Sequence, residues 1–196
     1  SEASFDYLEA DESTQVQFTF KVQDIAGADS NIATVNVTIV GENDAPVAQD
    51  DLNQQVGENQ NDLDIFQGDL SGLVSDVDDG IDQNSYQFVN SHPDIDLASD
   101  GTYTFNSEAS FDYLAVDEST QVQFTFKVQD IAGADSNTAS VIITVNGEND
   151  SPVIQENIDI SVNENQDEFY LTSYPIDADD GLNAGSYQVV SPNQYI

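Results

Sequence analysis

The sequence predicts an all-β protein made of antiparallel β-sandwiches repeated in tandem, and three observations carry that prediction. Apolar and polar residues alternate along its longest stretches. No window shows the apolar spacing of an amphipathic helix. A block of about a hundred residues recurs within the chain, which is the signature of a repeat architecture.

The elements follow in order. Val16, Phe18, Phe20 and Val22 share one face of an extended segment, while Gln15, Gln17, Thr19 and Lys21 share the other, because successive side chains of a strand point to opposite sides of its sheet. DIAGADSN (24–31) then supplies the Gly and Asx residues of a hairpin connection. Ala33, Val35, Val37 and Ile39 resume the alternation. Shorter strands are predicted near 47–56, 62–66, 86–89 and 102–106. The long pair recurs at Val122, Phe124, Phe126 and Val128, then Ala139, Val141, Ile143 and Val145. About seven strands in roughly 100 residues is the count of a β-sandwich. Lys21 and Lys127 are expected mid-strand on the polar face, where a charge discourages edge pairing.

Residues 1–31 and 107–137 agree at 29 of 31 positions, an offset of 106. The same offset carries GENDAPV (41–47) onto GENDSPV (147–153) and VGEN (56–59) onto VNEN (162–165). Further on the offset is 101, pairing SDVDDG (75–80) with IDADDG (176–181) and SYQFV (85–89) with SYQVV (186–190). A shortened loop near 166–176 accounts for the change. The expected parse is the C-terminal part of one repeat (1–43), a complete repeat (44–149) and the N-terminal part of the next (150–196). The chain is thus expected to be a window cut out of phase from a longer array. Residues 150–196 followed by 1–43 nearly rebuild one repeat, so the arithmetic also permits completion between chains.

Charge narrows the function. Asp and Glu number 38 against 2 Lys and Arg, a formal charge of −36. Binding a phosphate backbone needs a basic face, and an anionic membrane surface repels such a chain. No apolar run approaches the ~18–20 residues of a membrane span, and no secretory leader pattern opens the sequence. Nucleic acid and direct membrane insertion are therefore excluded as partners. With no Cys, there is no disulfide, thiol chemistry or Cys-ligated zinc. His92, the one histidine, allows no imidazole relay. Hydrophobic residues at 38% and aromatics at 9%, in ordered alternation, argue against disorder. Folding nonetheless requires that the charge be answered. Two carboxylates ~4 Å apart repel by about 4 kcal/mol at an effective dielectric of ~20, against a total stability of ~5–15 kcal/mol. Bound cations answer it.

Acidic groups recur in register. The boundary Glu42-Asn43-Asp44-Ala45-Pro46 has its counterpart in Glu148-Asn149-Asp150-Ser151-Pro152. The turn Asp76, Asp78, Asp79 has its counterpart in Asp177, Asp179, Asp180. Asp11-Glu12 and Asp117-Glu118 precede the long strands, which end at Asp24 and Asp130. Glu58 and Glu164 form a fourth group. Calcium takes six to eight hard oxygens at ~2.3–2.6 Å. An Asp-x-Asp turn can aim two carboxylates at one point, and Asn-Asp-x-Pro adds an amide and a backbone carbonyl on a stiffened strand. Magnesium demands near-octahedral geometry and keeps its waters, and zinc wants His or Cys. A solvated acidic turn explains any one of these groups by itself. Four groups in register favour calcium.

The order of these motifs resembles a cadherin repeat. Residues 100–130 (DGTYTFNSEASFDYLAVDESTQVQFTFKVQD), closed by GENDxPV, resemble bacterial cadherin-like and VCBS-type repeats of giant RTX-like surface adhesins. The resemblance implies Greek-key β-sandwiches (cadherin-like or immunoglobulin-like) joined end to end, with several Ca2+ ions at the junctions. It implies a first junction of Glu12, Asn43 and Asp44 with Asp76, Asp78 and Asp130. The second would use Glu58, Glu118, Asn149 and Asp150 with Asp177 and Asp179. Glu42 and Glu148 occupy the adjacent linker position, and Asp117 is an alternative to Glu118. The linker departs from the cadherin pattern: Asn-Asp-Ala or Asn-Asp-Ser stands where cadherins have Asn-Asp-Asn, one residue shorter, which leaves the ion count open.

The function expected is that of calcium-rigidified extender (stalk) repeats of a bacterial cell-surface adhesin or extracellular fibre, supporting adhesion and biofilm by projecting a distal tip. Its partners would be neighbouring repeats. The alternative is a secreted filament, a homopolymer assembled head to tail by completion of half-repeats. No enzyme is expected, because the acids cluster beside other acids on repeated linkers, where no isolated general acid is set up. A binding tip would need an exposed aromatic cluster, and Tyr170, Tyr174, Tyr187 and Tyr195 read as strand or core residues.

Overall fold

The computed structural model describes residues 5–58, 65–107, 110–154, 159, 161, 163–165, 175–183 and 186–188. Tyr170, Tyr174 and Tyr195, the shortened loop at 166–174, and the start of the strand expected at 62–66 lie outside them. The strands are β1 (Ser13–Phe20), β2 (Ala33–Val40), β3 (Val47–Ala48), β4 (Asp51–Gly57), β5 (Ile65–Asp69), β6 (Val74–Ser75), β7 (Gln87–Asn90), β8 (Ile95–Leu97), β9 (Thr102–Asn106), β10 (Ser119–Lys127) and β11 (Ala139–Asn146). Among the described residues the one helical element is a 3-10 turn at Ser71–Leu73.

The protein is a β-sandwich. One sheet has the order β4-β11-β10-β7 and another β5-β9-β8, while β3 pairs with β6 and β1 with β2. β7 and β10 are neighbours in one sheet although β8 and β9, between them in sequence, belong to the other, a Greek-key type of crossing. β1 and β2 run antiparallel from Ser13 opposite Val40 to Phe20 opposite Ala33. The predicted segment 47–56 is interrupted at Gln49-Asp50. There the Asn137 side chain receives the Ala48 N–H and donates to the Ala48 carbonyl, both at 2.9 Å, in the manner of a strand backbone. The lysines sit at strand ends rather than mid-strand. Lys127 closes β10 and binds Asp135 at 2.5 Å across its own turn, and Lys21, one residue past β1, binds Asp29. The turn begins where the strand stops, so the ammonium meets the turn's carboxylate.

Two compact units make up the chain: Ser1–Leu52 with Gln67–Thr104 and Gln123–Ile142, and Asn53–Phe66 with Phe105–Val122 and Ile143–Ile196. In the first, Phe124 of β10 meets Tyr103 of β9 at 5.1 Å and Phe88 of β7 at 5.7 Å, both edge-on, and Tyr86 stacks on Phe126 at 6.5 Å. In the second, Phe105 packs on Phe111 at 5.6 Å, with Leu114, Val122, Ile143 and Val145 buried. Each such side chain contributes roughly 1.5–3 kcal/mol on burial. The same alternation has the opposite fate in β1. Phe18 and Phe20 are 55% and 49% exposed, whereas their counterparts Phe124 and Phe126 are 1% and 0%.

Candidate metal centre

Each acidic turn is wound around its first aspartate. Asp76 Oδ1 accepts the N–H groups of Asp78 and Asp79 at 3.1 Å and of Gly80 at 3.3 Å. Gly80 has φ +86°, where a side chain would be strained. This winding gathers Asp76, Asp78 and Asp79, which can each offer an oxygen within 4.8 Å of the others. Oxygens held at ~2.4 Å from one ion can be no more than ~4.8 Å apart, so the spacing suits a calcium-sized cation.

The boundary segment closes over this turn. The Asp44 N–H donates to Asp78 Oδ2 at 2.9 Å, and Asn43 Nδ2 donates to Asp130 Oδ2 at 2.9 Å. Asp130, fully buried, also accepts the Ala134 N–H at 2.7 Å. Linker, turn and strand end thus meet at one point of the first unit. Asn43 Oδ1, Asp76 Oδ2 and Asp79 Oδ1 are buried there without a hydrogen-bond donor. Burial pushes the Asp76 carboxyl up, with the adjacent Asp78 carboxyl adding to the rise. For Asp78 burial is again the largest single influence and acts upward, but the N–H of Asp44 and the Asp76 contact bring it below the usual range. Such a pair favours a proton or a cation between its members.

The second unit repeats the arrangement. Asp177 Oδ1 accepts the N–H groups of Asp180 at 3.2 Å and Gly181 at 3.3 Å, and the Asp150 N–H donates to Asp179 Oδ2 at 3.2 Å. Asp177, Asp179 and Asp180 also offer oxygens within 4.8 Å of one another. The Asp179 side chain holds the Asp177 carboxyl low, and its charge pushes Asp180 up. Glu58 joins this unit at 2% exposure. Its Oε1 accepts the Glu148 N–H at 2.6 Å, while Oε2 is buried without a donor. Burial raises the Glu58 carboxyl, and the charges of Asp150, Asp112 and Asp179 raise it further. Leaving a buried carboxylate oxygen without a donor is costly. A hard cation would meet that need with the oxygens already present.

The remaining sequence candidates stand on the surface. Glu12, Glu42, Asp117, Glu118, Glu148 and Asn149 are exposed. Glu118 Oε2 turns back to accept the Ala115 N–H at 3.2 Å, and Asn149 Nδ2 donates to the Asp150 carbonyl at 2.8 Å. Asp24 and Glu164, the counterparts of buried Asp130 and Glu58, are exposed too. Asp112, whose charge reaches Glu58, was not singled out from the sequence. Its recurrence with Asp6 at the offset of 106 was the available signal. The glycine of each GEND has a packing role. A Cβ on Gly147 would stand 2.3 Å from the Ala115 carbonyl oxygen, and one on Gly41 2.3 Å from that of Glu9.

A family model described as the bacterial Ig domain matches residues 43–144, more than half of the chain. The chain belongs to the bacterial Ig domain family. The Ig-domain match takes in Asn43, Asp44, Asp76, Asp78, Asp79 and Asp130, the whole cluster of the first unit. It also includes Glu58, but ends before Glu148, Asn149, Asp150 and the second turn. No curated protein matches the chain. Among solved structures, protocadherin gamma B2 extracellular cadherin domains 1–5 match at 12% identity and a TM-score of 0.41, over 75% of this chain and 35% of that one. Mouse clustered PcdhgC3 EC1–3 matches at 13% identity and a TM-score of 0.38, over 75% and 47%. This bacterial Ig chain thus spans less than half the length of either.

Proposed function

We propose that these bacterial Ig-domain repeats are calcium-stiffened extender repeats of a bacterial cell-surface adhesin or extracellular fibre, of the cadherin-like, VCBS-type kind, serving structure rather than catalysis. Glu58 carries the reading: a glutamate 2% exposed, with one oxygen lacking a donor and acidic neighbours around it. An apolar residue would cost less in that position unless a cation occupied it. In the first unit the ligands would be Asn43, Asp44, Asp76, Asp78, Asp79 and Asp130. In the second they would be Glu58, Asp112, Asp150, Asp177 and Asp179. Bound calcium would tie each linker to the turn beneath it and cancel local repulsion. Sites of this extracellular kind hold calcium at ~10⁻⁴–10⁻³ M, filled outside a cell and empty in the cytosol.

A calcium titration read by thermal melting and small-angle scattering tests this. Calcium is expected to raise the melting point and lengthen the particle, and magnesium at equal ionic strength to do much less. If sodium chloride alone reproduces the calcium effect, screening suffices and the sites fall.

A further inference from the structure

We propose that Asn146-Gly147, where β11 enters the second boundary segment, is a latent deamidation site that the closed fold keeps silent and whose conversion releases that segment from Glu58. Calcium has no part in the reaction. Of all the asparagines in the chain, Asn146 alone precedes a glycine. A glycine nitrogen has no Cβ beside it to hinder its approach to the preceding side chain. Position 147 takes no larger residue freely, because a Cβ there would stand 2.3 Å from the Ala115 carbonyl oxygen. The packing that demands the glycine thus leaves a reactive step in the sequence. At the offset of 106 the counterpart is Val40-Gly41, which has the same close approach and no side-chain amide.

The step needs only water. The Gly147 nitrogen gives up its proton and attacks Asn146 Cγ, the bond from Cγ to Nδ2 breaks, and Nδ2 leaves as ammonia. The product is a succinimide ring. Water then opens the ring at one carbonyl to give aspartate, or at the other to give isoaspartate, whose backbone is one carbon longer. Nothing is oxidised or reduced. An amide has become a carboxylate, with a gain of about 1 Da and one negative charge.

The fold holds both reacting groups. The Gly147 N–H donates to the Glu118 carbonyl at 2.9 Å, and Asn146 Nδ2 donates to the Val56 carbonyl at 3.2 Å. Asn146 ends β11, and its extended backbone keeps Cγ away from the next nitrogen. Attack therefore waits for local opening of the segment. The residue is exposed, so water is at hand for the second step. Asn146 also sets the register of Glu58. Its carbonyl accepts the Glu58 N–H at 3.0 Å, and two residues on, the Glu148 N–H donates to Glu58 Oε1 at 2.6 Å. A carboxylate at position 146 has no proton to give the Val56 carbonyl, and it adds charge to a segment that already carries Glu148. An isoaspartate lengthens the path between the two bonds, which then no longer fit one glutamate.

Peptide mapping by mass spectrometry tests this on the full chain, incubated in mildly alkaline buffer either folded or unfolded in guanidinium chloride. The gain of about 1 Da is expected first in the peptide carrying Asn146, and at least about tenfold more slowly in the folded chain. Asn146→Val, which places the residue of the first copy here, is expected to keep the native circular dichroism spectrum and to show no gain in that peptide. Asn146→Asp, which carries the charge of the product, is expected to melt about 2–4 °C below the native chain. An unfolded chain that stays unconverted at Asn146 overturns the proposal. Equal rates in the folded and unfolded chain overturn the protection, and an Asn146→Asp variant that melts with the native chain overturns the release of the segment.

Discussion

Glu58 Oε1 accepts a hydrogen bond from the Glu148 N–H at 2.6 Å, across 90 residues of sequence. That bond pins the start of the second boundary segment to a buried glutamate of the unit, whose other carboxylate oxygen is buried without a donor and feels the charges of nearby acidic groups.

Replacing Glu58 by Gln separates two effects of that carboxylate. In chelator the variant is expected to be at least as stable as the native chain, because a neutral amide replaces a buried charge. With calcium at 10–100 times its dissociation constant, one site adds about 1.4–2.7 kcal/mol. Glu58→Gln is expected to lose most of that increment while the first unit keeps its own. Urea unfolding with and without calcium reads both. An unchanged increment would remove Glu58 from the metal site.

Gly147→Ala tests the linker through its backbone. The added Cβ meets a backbone carbonyl oxygen at 2.3 Å, so the linker carrying Glu148 must move. The expected cost is about 1–3 kcal/mol, with weaker calcium binding in the second unit. Gly72→Ala, where a Cβ meets nothing within 4 Å, is the control. Melting and calorimetric calcium titration of both variants check it.

The sequence made the fold legible wherever a period of two ran long enough to be seen. β10 buries Val122, Phe124 and Phe126, the alternate residues its pattern marks, and β11 does likewise from Ala139 to Val145. β6 and β8, with two and three residues, are too short to show any period, and contacts from the rest of the sandwich define them. Alternation also cannot tell whether an apolar face is covered. Phe18 and Phe124 sit in the same local sequence, and only the tertiary partners of Phe124 separate them. The turns Asp76–Asp79 and Asp177–Asp180 were readable because their winding is local. Asp112 was not, because its relation to Glu58 is made by folding.

The divided fate of one local sequence yields a paired prediction. Phe124→Ala empties a fully buried position and is expected to cost about 3–5 kcal/mol. Phe18→Ala, its counterpart in β1, is expected to cost under about 1 kcal/mol, since more than half of its surface already faces water. Denaturant midpoints of the two variants at low concentration decide the matter. Equal losses would mean that the β1–β2 face is covered in the single molecule.

Tyr103 sets an alkaline limit on stability. Its ring lies across Gly68, where an added Cβ would come within 2.2 Å of it. Burial pushes its phenol up from 10.0 to about 12, and the charge of Asp51 adds to the rise. A folded-state value above the unfolded one means that the native chain holds this proton more tightly. Its contribution is therefore fully present below pH 10 and is lost as the pH rises through 12. A rise of that size corresponds to roughly 2–3 kcal/mol. Stability by urea unfolding is expected to fall across that window in the native chain, and to fall less in Tyr103→Phe, which has no phenol to ionise. Ultraviolet titration should show one tyrosine ionising only as the protein unfolds. A Tyr103→Phe variant with the native alkaline slope would assign the loss to another group, of which Tyr86, likewise raised by burial, is the first to examine.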